Sequence, residues 1–280
     1  MTEKKSLMEV ISSYMENNTL AIPIFNSIAV RLQDVLAKSD YSIDEVNRLI
    51  VADPGLASQV LRVSNSSFYA GLNKVTTIQD AIVRLGAACV ANIVMMATQK
   101  NIYRSDDPGL NGLMGDLWKH SLCCAIGSRW LATKVNYGAI SQEAFLAGLL
   151  HDIGKMYLLK VLEEVMKEKN YETDISSALI LEVIESMHSM HGARIMDQWN
   201  LPEAYVIVAR DHETPEWDVK NPLLAIVRLV NQTCRKIGVH SSPDPSLVLF
   251  AAPEAQMLGA REITLAELEI VIEDALQLTD

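Results

Sequence analysis

Residues 148–155, Gly-Leu-Leu-His-Asp-Ile-Gly-Lys, set a histidine directly before an aspartate inside an apolar run. An imidazole supplies a neutral nitrogen donor, and a carboxylate supplies the negative charge that offsets a divalent ion, so His151 and Asp152 are a pair that could hold one. Adjacent helical residues point about 100° apart, so the two reach one ion only from its flanks. Two ligands do not complete a site. Further donors stand at His120, His188, His191 and His212; His188 and His191 lie three apart, one helical turn, and can share a face. Lys155 could meet a phosphate, although a solvated lysine in the last turn of a helix is the commoner use of such a residue. The His-Asp pair also has a structural reading, in which it is hydrogen-bonded and ties two helices together.

The chain that positions these residues has 280 residues, 49% of them hydrophobic, enough for a substantial core. Its formal charge is −11, from 35 acids against 24 bases. No stripe of lysine and arginine is present to neutralise a phosphate backbone, which argues against direct nucleic-acid binding. A small phosphorylated ligand in one local pocket stays compatible with that charge. No apolar run approaches the roughly 18–20 residues that span a bilayer, and the first residues mix charges into their apolar positions, so a cytoplasmic protein without a membrane partner is expected. Cys89, Cys123, Cys124 and Cys234 show no C-x-x-C spacing and sit in apolar surroundings. They read as reduced, packed thiols.

Nearly every segment has helical period, and no stretch offers a β-hairpin, so the expected fold class is all-α. Ser42 with Glu45, Thr77 with Asp80 and Thr264 with Glu267 have capping-box spacing. Asp53-Pro54 ends one helix and opens another, and Asn65-Ser66-Ser67 closes the latter in a polar turn. Leu265, Leu268, Val271, Ile272, Ala275 and Leu276 follow the rhythm of an amphipathic helix. Trp118, Trp130 and Trp199 lie on apolar faces and are expected in the core. Breaks fall at 101–112 and 238–246, where polar residues, proline and glycine interrupt the rhythm. The expected organisation is an N-terminal helix over 1–19, a helical lobe over 20–105, a second lobe over 112–232 that carries the histidines, and a helical extension over 233–280. The cleft between the lobes is the default binding place.

An ordered series runs through the first lobe: Pro23, the D-P-x-L at Asp53 to Leu56, the L-R-x-x-N-S at Leu61 to Ser66, and the I-x-x-A-I-x-x-L-G at Ile78 to Gly86. In order and spacing it resembles the HDOD family, the HD-related output domains of bacterial signalling proteins, and the match extends to about residue 232. The resemblance implies a multi-helical HD-like fold with two helical lobes. It also implies a regulatory domain related to metal-dependent phosphohydrolases, often without demonstrated catalysis.

The same resemblance assigns roles to the donors. His120, His151 and Asp152 match the first three members of the HD metal site, and His188, four residues before Gly192, matches a ligand of the HD-GYP phosphodiesterases. Asp211-His212 stands where those enzymes carry a His-His pair, so Asp211 is a further candidate. The distal aspartate falls at Asn231, whose amide oxygen is a weak neutral ligand, and the GYP element is absent. A degenerate site of this kind implies at most one weakly bound divalent transition metal, iron, manganese, zinc or nickel, and otherwise no cofactor. Two functions follow. The first is a signalling module, non-catalytic or weakly catalytic, that binds a signalling protein or a small phosphorylated ligand. The second is a metal-dependent phosphohydrolase acting on nucleotides or cyclic dinucleotides, with Lys155 steadying the phosphate.

Overall fold

A computed structural model describes residues 6–17, 27–38, 40–66, 69, 71, 73–169 and 175–277; Pro23 and Ser67 lie outside them. Among the described residues every regular element is a helix, so the fold is all-α. None of those helices alone is long and apolar enough to cross a membrane. The chain divides into two compact units, one spanning Pro23–Ile102 and a larger one formed by Met1–Ile22 with Tyr103–Asp280. Helix α1 (Leu7–Asn17) belongs to the larger unit and packs on a later helix of it.

The smaller unit holds α2 (Ser27–Leu36), α3 (Ile43–Val51), α4 (Pro54–Ser64), α5 (Ile78–Leu85) and α6 (Ala87–Gln99). The starts of α3, α4 and α5 are fixed by side-chain caps, each satisfying one backbone N–H that the helix itself leaves unpaired. Ser42 Oγ accepts from Glu45 N at 3.1 Å, Asp53 Oδ1 from Leu56 N at 3.0 Å, and Thr77 Oγ1 from Asp80 N at 3.0 Å. Asn65 caps α4 and clasps the next segment, donating to Leu61 O and Val75 O and accepting from Val75 N. Gly86, with φ 86°, makes the tight turn from α5 into α6 that a side chain would strain. Helix α6, buried along most of its length, is the centre on which α2, α4 and α5 pack.

The larger unit is built on α7 (Pro108–Lys134), followed by α8 (Ser141–Leu150), α9 (Ile153–Lys169), α10 (Ser177–Gln198), α11 (Glu203–Asp211), α12 (Pro222–Lys236), α13 (Pro253–Leu258) and α14 (Glu262–Leu276). Asp107-Pro108 and Asn221-Pro222 repeat the cap-then-proline start, with Leu110 N and Leu224 N as the capped donors. Helix α7 packs against α8, α12 and α14, while α9 pairs with α10 and α10 with α11. The last helices are integral to this unit: Arg228 Nε donates to Glu254 Oε1 at 2.7 Å, which ties α12 to α13. Two details differ from the sequence reading. Thr264 is buried inside α14, whose N-cap is Arg261, because the helix starts one turn earlier than the capping pattern suggests. Of the three tryptophans, Trp118 is core, whereas Trp130 and Trp199 are partly exposed, and Trp130 is covered by the Lys134 ammonium 5.0 Å from its ring. The four cysteines are free and buried.

Candidate metal centre

Three helices and one turn of the larger unit deliver the donors. Helix α7 carries His120, the two-residue turn between α8 and α9 is His151-Asp152, α10 carries His188, and His212 closes α11. The glycines flanking the pair explain how the turn comes so close to its neighbours. A Cβ on Gly148 would sit 2.5 Å from the Cys124 carbonyl oxygen of α7, and one on Gly154 would run into the His188 carbonyl and lie 2.7 Å from Gly192 N of α10. Only glycine lets α8 and α9 touch the backbones that carry His120 and His188. The whole motif 148–155 is therefore a device for close packing as well as a source of ligands.

Asp152 lies at the centre. Its Oδ2 is 3.4 Å from His120 Nε2, 3.4 Å from His151 Nε2 and 3.2 Å from Lys155 Nζ. Its Oδ1 is 3.5 Å from His188 Nε2 and 3.3 Å from His212 Nε2. Each histidine is turned by its other nitrogen. His120 Nδ1 meets Val239 O at 2.7 Å, His151 Nδ1 meets Gly148 O at 2.8 Å, His188 Nδ1 meets Glu185 O at 2.9 Å, and His212 Nδ1 meets Ala209 O at 3.0 Å. A carbonyl only accepts, so every Nδ1 carries its hydrogen, and every neutral ring then points an Nε2 lone pair inward.

The electrostatics follow from burial among these groups. Burial pushes the Asp152 carboxyl up, but Lys155 and the histidines outweigh it and hold the acid well below its usual range. Burial likewise opposes the charge on Lys155, and Asp152 with Glu185 at 2.9 Å raises it instead. Burial lowers His151 and His188. His120 is the exception: burial disfavours its charge, yet the Asp152 carboxylate and the Cys234 thiol beside it lift it to about 10.

The candidates read from sequence divide as follows. His120, His151, Asp152, His188 and His212 converge, all buried. His191 is buried outside the cluster, its ring 6.4 Å from that of Tyr157. Lys155 is neither solvated nor in the last turn of a helix: it lies in the first turn of α9, 4% exposed, paired with Asp152 and Glu185. Asp211 turns away, its carboxylate held by Arg210 at 2.8 Å through both oxygens. Asn231 shares a strip of α12 with Arg228, whose guanidinium binds the carbonyls of Asp211, His212 and Thr214, and with Cys234, beside Cys124 and His120. Its Oδ1 is buried and unpartnered.

Sequence reasoning missed several neighbours. Glu185 and Glu213 form a further donor group with His188, and their spacing was the available signal: one stands a turn before His188, the other directly after His212. His240 stacks edge-on against His120 with ring centroids 5.0 Å apart, although its segment reads only as a break. Cys124 Sγ lies 3.6 Å from His120 Nε2 and 3.7 Å from Cys234 Sγ. Burial raises the Cys234 thiol, but Cys124 and His120 hold it down to about 6.

Two donor sets share Asp152: His120, His151 and Asp152 on one side, and Asp152, His188 and His212 on the other, each with its ligand atoms within 4.8 Å of one another. Neither carboxylate oxygen has a hydrogen-bond partner although both are buried. Imidazole nitrogens around an otherwise orphaned carboxylate fit a divalent transition metal. Every donor belongs to the larger unit, so the centre is built within one unit rather than from two lobes.

Comparisons with known proteins agree with this fold. An HDOD domain protein of unknown function from Geobacter sulfurreducens is similar in structure, with TM-score 0.77, 19% identity, and 98% of this chain and 97% of that one covered. A candidate metal-dependent phosphohydrolase from Shewanella amazonensis matches with TM-score 0.75 and 17% identity, over 98% and 97% of the two chains. An uncharacterized protein of Treponema pallidum is 24% identical over 225 residues, which are 76% of this chain and 42% of that protein, so the chain spans less than half the length of that relative. The HDOD domain model matches residues 22–215, and with the all-helical fold and the retained His-Asp centre it identifies the chain as a member of the HDOD family.

Proposed function

We propose that the chain is a cytoplasmic bacterial signalling module whose larger unit binds a divalent transition metal at Asp152 and its histidines, and there hydrolyses a small phosphorylated ligand slowly. One observation carries the reading: His120, His151, His188 and His212 each spend Nδ1 on a backbone carbonyl and turn Nε2 toward the same buried carboxylate. Iron, manganese, zinc and nickel all suit this donor set. When bound, the ion supplies a Lewis acid and an activated water. Asp152, His120, His151, His188 and His212 would hold that ion. Lys155, anchored by Asp152 and Glu185, offers its ammonium to a phosphoryl oxygen. The charge balance of −11 keeps extended nucleic acid away, while the local cations receive one phosphate.

A second reading, binding without turnover, is favoured by two residues. Asn231, which by the family pattern stands in the place of a ligand carboxylate, adds no charge, and the Lys155 ammonium already neutralises part of Asp152 at 3.2 Å. Metal analysis of protein purified without chelator, followed by assays with bis(p-nitrophenyl) phosphate, nucleoside phosphates and cyclic dinucleotides, tests both. At least one retained metal and a turnover abolished by Asp152→Ala support hydrolysis. Retained metal without turnover selects the binding module. Protein that neither retains nor takes up metal overturns the metal centre.

A further inference from the structure

Beside the centre lies a cavity of about 640 Å³ that reaches His120, Asp152 and Lys155. We infer that the ligand of this centre is a phosphate ester with an aliphatic body, not a nucleotide; the inference rests on the metal-centre reading above and names its substrate class. The volume is that of a small-molecule site. Its wall is aliphatic, made by Leu117 of α7, Leu159 of α9, Leu181 and Ile184 of α10, and Val239 and Pro243 of the segment before α13.

The polar side chains in that wall are already paired. At the mouth Asp116 and Lys119 bind each other at 3.0 Å, and Ser241 Oγ donates to Glu185 Oε1 at 2.5 Å. Val239 O is taken by His120 Nδ1, and His240 Nδ1 accepts from Ser242 N at 2.9 Å. Apart from the Asp152 oxygens of the centre itself, the buried side-chain atom of the wall left without a hydrogen-bond partner is His240 Nε2, with Glu213 Oε1 3.9 Å away. A nucleobase and its sugar bring several donors and acceptors, and each one buried unpaired weakens binding by about five- to a hundredfold. One free ring nitrogen cannot satisfy them. An alkyl body has nothing to satisfy, and each buried methylene tightens binding by about fourfold. At the inner end, Lys155 and the metal donors face the phosphoryl group.

Calorimetry on manganese-loaded full-length protein tests this, with inorganic phosphate, ethyl, butyl and hexyl phosphate, adenosine monophosphate and a cyclic dinucleotide as titrants. The expected result is a rise of about fourfold per added methylene, with hexyl phosphate at least thirtyfold tighter than inorganic phosphate and adenosine monophosphate no tighter than it. Leu181→Asp, at a half-buried position, flattens the series while metal content stays at the wild-type level; Ile184→Asp repeats the test at a buried position. A flat series in the wild type, or either nucleotide binding more tightly than hexyl phosphate, overturns the inference. So does co-sedimentation with phosphatidic acid vesicles without affinity for hexyl phosphate, which assigns the wall to a lipid surface. Failure of the metal centre itself reads differently, as zero metal after loading and no binding of inorganic phosphate.

Discussion

His120 Nε2 and His151 Nε2 face each other at 3.2 Å while the Nδ1 of each ring is held by a carbonyl. Two neutral rings so placed oppose lone pair to lone pair, and a cation between them and Asp152 removes the conflict.

Added divalent metal should therefore stabilise the fold. At a hundred times its dissociation constant a ligand specific for the native state contributes about 2.7 kcal/mol. Scanning calorimetry with and without manganese or zinc should show the unfolding midpoint rising in the wild type. Asp152→Asn should show no rise, because the carboxylate common to both donor sets is gone.

Lys155→Met should be costly in metal-free protein. The substitution keeps the stem but leaves Asp152, 1% exposed, without its ammonium partner at 3.2 Å. Breaking a buried ion pair on one side costs about 3–5 kcal/mol. Urea denaturation should report a loss of that order, and a smaller one when metal is present to take over the charge.

Gly154→Ala tests the close packing of α9 on α10. The added methyl has no room against the His188 carbonyl and Gly192 N, both backbone. The helices must part, at about 1–3 kcal/mol or more. Because His188 rides on that contact, metal retained on purification should fall together with the unfolding midpoint.

Asn231→Asp should tighten metal binding by about tenfold, as the added charge of one carboxylate near a divalent ion suggests. Its Oδ1 is already buried without a partner. Competition against a chromogenic chelator measures the gain. The same variant should be less stable than wild type when metal-free, since it buries a further negative charge.

Glu163 governs acid stability at a distance from the centre. It binds Ser105 Oγ at 2.8 Å, Asp106 N at 3.1 Å and Lys160 Nζ at 3.0 Å, tying α9 to the segment that starts α7. Burial raises its pKa, but these partners outweigh it and lower it from 4.5 to about 2. With a depressed folded value, the stabilisation is complete above about pH 4.5 and is lost as pH falls toward 2. Denaturation midpoints followed across that window should drop in the wild type, and less steeply in Glu163→Gln, which starts lower at neutral pH.

How much of this was legible in the sequence depended on the range of the interaction. Caps at Ser42, Asp53 and Thr77 are local, and so they could be read from spacing. Thr264 had the same spacing, yet α14 begins at Glu262 and buries Thr264 within its first turn. The convergence of His120, His151, Asp152, His188 and His212 was suggested by family pattern. Lys155 was misjudged because its partner Glu185 lies 30 residues further on and a helix away. His240 and Cys234 gave no signal, for their places beside His120 are set by how the segment after α12 folds back.

Asp152 gives one oxygen to His120 and His151 and the other to His188 and His212. The two halves of the centre are consequently not independent reservoirs. Whatever occupancy on the Oδ2 side does to affinity on the Oδ1 side is returned in equal measure, because linkage between two equilibria is reciprocal. A titration of this protein with metal should be analysed as one coupled process whose second step carries the memory of the first.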